Sequence, residues 1–306
     1  MSIEFSVDRP FGIYLYDYFD KAYTTVVGSP ATEFTFVQGY TPLSTLPEVL
    51  VGCITYFTII FGGRALMNNS KPLPCKFFFQ IHNVLLTLVS GALLALLFEQ
   101  LFPQLYRHGL YYTICSEKAW TPQLELIYYL NYLVKWWELV DTGFLVIKKK
   151  KLGKLKRIHV RFGIDWNSIS EFLHYFHHSM TMALCYTQLV GKTTVSWVPI
   201  ILNLTVHVLM YYYYFRTATG AKIWWKKYLT TLQIIQFVID LVVIYTVTWS
   251  YFAFTYYSDF LPNFGTCAGT ESAAAFGCAI LTSYLFLFIN FYRMTYNQKK
   301  QQKKDL

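Results

Sequence analysis

The sequence predicts an all-α integral membrane protein with seven transmembrane helices. Three observations carry that expectation. The 306 residues are 55% hydrophobic and 20% aromatic but only 14% charged, whereas an average soluble domain carries roughly 25% charged residues. A soluble globule cannot hide so much apolar surface, and the same balance excludes a disordered chain. Seven apolar stretches approach or exceed the length of about 20 residues that a helix needs to cross a bilayer core. The lysines and arginines, finally, are distributed unevenly between alternate connecting segments.

Residues 1–46 come first. They are rich in aromatic side chains and contain acids and prolines, without the basic start and compact apolar core of a signal peptide. They are expected to lie on the luminal side or at the membrane interface, an untidy tail being the alternative. The expected spans in residues 47–292 are Pro47–Leu66, Phe78–Leu101, Leu124–Ile147, Phe172–Val190, Val195–Phe215, Tyr228–Trp249 and Ala273–Tyr292. Residues 293–306 form a basic tail.

The charge pattern orients these spans. Twenty of the 26 lysines and arginines fall in the first, third and fifth connections and the tail: Arg64, Lys71 and Lys76; Lys148–Lys151, Lys154, Lys156, Arg157 and Arg161; Arg216, Lys222, Lys226 and Lys227; and Arg293, Lys299, Lys300, Lys303 and Lys304. Only Arg9, Lys21, Arg107, Lys118 and Lys192 lie on the other side, and Lys135 lies within a span. Basic loops stay in the cytosol, so the tail is expected to be cytosolic. The net charge of +9 is then a matter of topology and does not indicate a nucleic-acid partner. The end Lys303-Lys304-Asp305-Leu306 has the form of a dilysine retrieval signal of the endoplasmic reticulum, a receptor-read address. A solvated basic tail is the plainer alternative.

Six cysteines do not make a disulfide scaffold. Cys115 and Cys267 fall on the luminal side, where disulfides persist, and are expected to pair; two free thiols are the alternative. Cys53, Cys185 and Cys278 lie in spans and read as small packing residues. The glycosylation patterns at Asn68 and Asn203 are expected to be unused, one being cytosolic and the other intramembrane.

The third span carries Lys135, Glu138 and Asp141. Each ionisable group costs roughly 2.5–3.5 kcal/mol to insert, so three unpaired ones would cost on the order of 8–10 kcal/mol. With Thr142 they fall within about 120° of one helical face, and Lys135 can pair with Glu138 three residues on. The fourth span opens with His174-Tyr-Phe-His177-His178, three imidazoles in a wedge about 100° wide. Asn203, His207, Met210, Tyr211 and Tyr214 share one face of the fifth span. Thr230, Gln233, Gln236 and Asp240 share a face of the sixth, and the second begins with Gln80, His82 and Asn83. The alternating direction of the spans brings all five groups to one depth, in the cytosolic half. The other half, as in Leu85–Leu97, is largely apolar. Such a chamber suits an amphiphile with a charged head and a long chain. A purely structural ion-pair cluster is the alternative for the third span.

Histidine binds metals, relays protons and acts as a nucleophile. A histidine-box iron desaturase or hydroxylase is therefore one rival reading, although a single HxxHH box is few ligands for two irons; no metal site is expected. A seven-helix transporter or receptor is the other rival. It leaves the clustered histidines, amides and carboxylates without a chemical purpose. No Gly-rich nucleotide loop is apparent, so no cofactor is expected.

The motifs resemble those of the ELO fatty-acid elongases, in order and over nearly the whole chain. KWWELVDT (135–142) is similar to the KxxExxDT box, HYFHH (174–178) to the histidine box, NLTVHVLMYYYY (203–214) to NxxxHxxMYxYY, and Thr230-xx-Gln233-xx-Gln236 to TxxQxxQ. DRPFGIYLYDYF and IFGGRAL resemble fungal members in particular. The resemblance implies a narrow acyl-chain tunnel between the helices and the condensing step of elongation: acyl-CoA and malonyl-CoA give 3-oxoacyl-CoA, CO2 and CoA. His177, flanked by His174 and His178, is the expected nucleophile and would carry the acyl group. His207 and Asn203 would stabilise the oxyanion. Glu138 and Asp141 would orient the histidines, and Lys135 would balance their charge, with Thr142, His82, Gln80, Asn83, Tyr211, Tyr214, Gln233 and Gln236 in support. Lys222, Lys226 and Lys227 would meet the CoA phosphates, unless they serve topology alone. The residues closing the apolar end, expected from the second, sixth and seventh spans, would set chain length. The family's chemistry also implies a 3-ketoacyl-CoA reductase, a 3-hydroxyacyl-CoA dehydratase and an enoyl-CoA reductase as partners in a lipid membrane of the endoplasmic reticulum. Homodimer formation is left open.

One stretch departs from the family pattern. GKLKRIHVRFGIDWNSISE (153–171) separates KKKKL from the histidine box, where the family has a short loop. It reads either as a real loop that binds anionic lipid or a partner, or as a translated intron, since Gly-Lys can be encoded by a string resembling a splice donor. In the second case His159 and Asp165 have no role.

Overall fold

Long apolar runs leave the backbone nothing but itself to bond with, and every run identified above is helical. The computed structural model describes residues 3–67, 69–71, 73–148 and 166–297, with side chains beyond the gap from residue 172 onward. The helices are α1 (Leu15–Val27), α2 (Leu46–Met67), α3 (Lys76–Cys115), α4 (Pro122–Ile147), α5 (Trp166–Val190), α6 (Trp197–Ala218), α7 (Lys226–Tyr257) and α8 (Glu271–Tyr292). Short turns precede α4 and α6, and a π-helical turn at Arg293–Asn297 follows α8.

Among the described residues, five helices are long and apolar enough to cross a membrane: α2, α3, α6, α7 and α8. The expectation of seven such spans is met only this far. The physical reason lies in what the other two carry. Lys135, Glu138 and Asp141 interrupt α4, and His174, His177 and His178 interrupt α5.

Local chemistry sets the helix ends. Glu48 accepts bonds from the Thr45 amide and hydroxyl at 2.8 and 2.7 Å, closing the start of α2. Thr121 caps α4 by accepting from the Leu124 amide, with Pro122 at the first helical position. Thr270 does the same for α8 through Ala273. α3 runs past its expected end at Leu101 and tolerates Pro103, but Gly109 takes φ 78° and kinks it.

Residues 1–46 contain α1, which the sequence reading did not anticipate. Its first turn needs acceptors for its free amides, and a distant helix provides them. The fully buried Glu99 of α3 accepts from Leu15 N at 2.6 Å and Tyr16 N at 2.8 Å. Phe34 then stacks on Tyr129 of α4, and Phe36 packs tilted against the same ring.

Neighbour relations order the rest. α4 packs on α5, α5 on α8, α8 on α7, α7 on α6, α6 on α3 and α3 on α4, which closes a ring of six helices. α2 lies outside the ring against α4 and α5, where a Cβ at Gly52 would run into the Trp136 indole. At one end of the ring Cys115 and Cys267 are joined by a disulfide, and Ala268 N donates to the Cys115 carbonyl at 2.8 Å. The described α2–α3 and α6–α7 connections lie at the other end.

Most of residues 153–171, with His159 and Asp165, lies outside the described residues, as do Lys149–Lys151 and the tail beyond Asn297. The backbone of 166–171 is helical and continuous with α5.

Candidate functional site

Four polar side chains form a closed circuit between α4 and α6. Lys135 Nζ donates to Glu138 Oε1 at 2.9 Å and to Asn203 Oδ1 at 2.8 Å. The Asn203 Nδ2 and His207 Nε2 atoms pair at 3.3 Å, and His207 Nδ1 lies 3.1 Å from Glu138 Oε1. Lys135 and Glu138 are only 2% and 1% exposed. Charges can be buried so deeply only when paired and bonded. The Lys135–Glu138 pair is the one the helical spacing leads one to expect.

A second chain runs beside the first. Asp141 is shared by His82 Nε2 at 2.6 Å and by the Tyr211 hydroxyl, which donates at 2.8 Å. Thr142 bonds the Tyr56 hydroxyl of α2 at 2.7 Å. The Tyr211 ring meets the His207 ring edge to face at 5.3 Å, which joins the two chains. Thus α3, α4 and α6 are tied together at one depth.

The histidine box packs on this circuit. The His178 ring lies 4.5 Å from that of His174 and 5.5 Å from that of His177. His174 Nε2 and His178 Nδ1 are buried without a hydrogen-bond partner. His177 takes a different outlook. Its ring lies 4.8 Å from that of Tyr284 of α8, tilted by 45°; the Tyr284 hydroxyl bonds Thr181 at 2.9 Å and donates to the His177 carbonyl at 3.1 Å.

His177 also lines a cavity inside the ring of helices. At the basic end His177, Lys135, Asn203 and Gln236 face it. Its middle is lined mainly by apolar side chains such as Leu184, Ile200, Ile244 and Leu281. The loop Cys267–Glu271 lines its far end. The sixth and seventh expected spans, now α7 and α8, contribute to its wall. The second, α3, does not: it packs behind α6, so the expectation that it helps close the apolar end is corrected.

Other expected site residues stand apart. The Asn83 amide donates to Phe79 O of its own helix, and Gln80 is half-buried. Gln233 turns to the Met210 sulfur, 3.7 Å away. Tyr214 is 39% exposed, beyond the circuit. Lys222, Lys226 and Lys227 are exposed around the start of α7. Among the described residues no three His, Cys, Asp or Glu side chains are grouped to hold a metal ion.

Sequence reasoning missed the pairing of Tyr284 and Thr181 beside His177. A single tyrosine in an apolar helix carries no spacing signal, so only packing identifies it. Asp240, counted in the sequence analysis among the polar groups at this depth but given no role there, lines the cavity.

Comparison with known proteins places this arrangement. Residues 41–304 match the family described as ELO: GNS1/SUR4. The chain is 46% identical over 302 residues to a Schizosaccharomyces pombe protein named Putative fatty acid elongase 1, covering 98% of this chain and 85% of that one. It is 39% identical to Putative fatty acid elongase 2 of the same yeast, covering 90% and 70%. It is 32% identical to Fatty acid elongase A of Dictyostelium discoideum, covering 89% and 91%. With the family match spanning most of its length, and with polar motifs on four helices, α4 to α7, each contributing to one cavity, the chain belongs to the ELO (GNS1/SUR4) family.

Proposed function

We propose that His177 is the acyl carrier of this enzyme. The chain is a condensing enzyme of fatty-acid elongation, a 3-oxoacyl-CoA synthase. The observation that supports His177 is its position: alone among the box histidines it faces the cavity that also holds Lys135 and Asn203.

In the first step the imidazole of His177 attacks the acyl-CoA thioester. The carbon–sulfur bond breaks, the imidazole proton passes to the departing thiolate, and CoA leaves as the thiol. In the second step malonyl-CoA loses CO2. The resulting enolate attacks the acyl-imidazole, the carbon–nitrogen bond breaks, and the imidazole regains a proton from solvent. Negative charge develops on the acyl oxygen in both steps. Donors already aimed at such an oxygen are a large catalytic contribution. Lys135 has three N–H donors and spends two on Glu138 and Asn203. The third and the free Asn203 N–H are available at the cavity wall. His207 and Glu138 hold these two donors in place, and Asp141 holds His82 and Tyr211. His174 and His178 pack behind the nucleophile.

The apolar part of the cavity takes the acyl chain, as a tunnel closed by the disulfide-bonded loop. All seven helices α2–α8 span the membrane in this reading, with α4 and α5 shielded by the others. The basic end faces the cytosol of an endoplasmic reticulum membrane, where Lys222, Lys226 and Lys227 meet the phosphates of CoA. The reductases and the dehydratase of the cycle act on the released product. A homodimer is compatible with this arrangement.

The test uses microsomes from a host lacking its own elongases, with labelled malonyl-CoA, an acyl-CoA panel and no NADPH. Labelled 3-oxoacyl-CoA is expected. With labelled acyl-CoA alone the wild type should acquire label and His177→Ala should not. A persistent adduct in that variant would make another residue the acyl carrier.

A further inference from the structure

Asp240 stands in the wall of the cavity and is 0% exposed. Among the described residues neither carboxyl oxygen makes a well-formed hydrogen bond, and only the Gln236 side chain, one turn earlier on α7, is close enough to interact with it. The walls around it are apolar: Ile244 one turn further along α7, and Leu281 across on α8. A buried carboxyl group without a well-formed hydrogen bond is costly in either protonation state. A plain hydrocarbon chain lying against it would do nothing to relieve that cost.

Its depth can be read from the ring contacts. Phe237 packs on Tyr284 at 5.6 Å, and Tyr284 packs on His177 at 4.8 Å. Phe237 is therefore level with the proposed acyl carrier. Asp240 follows three residues later, about 4.5 Å further along the helix toward the apolar end. An acyl chain attached at His177 would pass Asp240 within a few carbons of its carbonyl.

We propose that Asp240 is a specificity-determining residue that accommodates a hydroxyl group on the acyl chain near the thioester, so that the substrate class includes hydroxyacyl-CoAs with the hydroxyl close to the carbonyl. The chemistry holds in either state of the carboxyl group. Ionised, it accepts from the hydroxyl; neutral, it also donates. Sites that bond a substrate hydroxyl discriminate far more strongly than sites that merely leave room for one. This inference rests on the reading of His177 as acyl carrier at the polar end of the tunnel.

The experiment compares kcat/KM for labelled malonyl-CoA condensation with plain acyl-CoA and with acyl-CoAs of equal length hydroxylated near the carbonyl or near the methyl end. The wild type should use the carbonyl-proximal hydroxyacyl-CoA at least as well as the plain chain. It should use the methyl-terminal one about tenfold less well. Asp240→Leu should lower the ratio of kcat/KM for the proximal hydroxyacyl-CoA to that for the plain chain about tenfold. Asp240→Asn, which retains a donor and an acceptor, should keep the preference, and serves if the leucine variant does not fold. Equal loss for both hydroxyl positions in the wild type would overturn the proposal. So would an unchanged preference in Asp240→Leu. Failure to condense any acyl-CoA would instead defeat the elongation reading, and this inference with it.

Discussion

Lys135 shows how much of the site hangs on single side chains. Its ammonium group donates to both Glu138 and Asn203, and so joins the facing helices α4 and α6. Lys135→Met leaves a buried carboxylate without its counter-charge, and breaking such a pair costs about 3–5 kcal/mol. The purified variant should lose stability in detergent, seen as a lower midpoint of thermal unfolding, and should lose condensation. Removing both charges in Lys135→Met/Glu138→Leu should restore much of the stability, because an apolar replacement of a buried pair is often neutral. It should not restore turnover. Recovery of both would show that the pair is structural only. The existence of this pair was legible in the sequence, from three-residue spacing inside an apolar run. Its third partner, Asn203, was not, because the contact joins residues 68 positions apart.

Two elements outside the polar circuit control the shape around it. The segment Cys267–Thr270 lines the far end of the cavity and is held to the end of α3 by the disulfide and by the Ala268–Cys115 backbone bond. Gly269, at φ 137°, brings it against Thr193, where a Cβ would collide. Replacing Cys115 and Cys267 with serine frees this end, so the products of elongation in microsomes should shift to longer chains. An unchanged product profile from a well-folded variant would place the length limit elsewhere. The second element is α1, whose opening amides are capped by Glu99 of α3. Losing a cap costs about 0.5–2 kcal/mol. Glu99→Ala should make residues 1–45 more sensitive to protease, while His177 still takes up labelled acyl groups. The cap was invisible in the sequence because its acceptor lies more than 80 residues from the helix it closes.

At the scale of the whole molecule, the lysine and arginine asymmetry is the basis of the proposed orientation, with the basic end of the bundle in the cytosol. In sealed microsomes a C-terminal epitope should be removed by added protease, while an epitope in the α7–α8 loop should be protected until detergent is added. The reverse pattern would invert the orientation. The stretch 153–171 belongs to this scale as well, since it enters α5 just ahead of the histidine box. Messenger sequencing decides it: transcripts that all contain the stretch would end the intron reading, whereas shorter transcripts would support it.

Composition, apolar run length and charge asymmetry were enough to establish helices, their positions and a membrane setting, because each is a local response of the chain to its solvent. Helical spacing likewise brought Lys135, Glu138, Asp141 and the box histidines to common faces before any tertiary contact was known. Only the tertiary structure separated His177 from His174 and His178, since all three lie within one wedge of α5 and what each faces depends on α4, α7 and α8. It also brought Tyr284 to His177 and placed Asp240 in the cavity wall. Those relations depend on how distant helices pack, and no periodicity within a single helix encodes them.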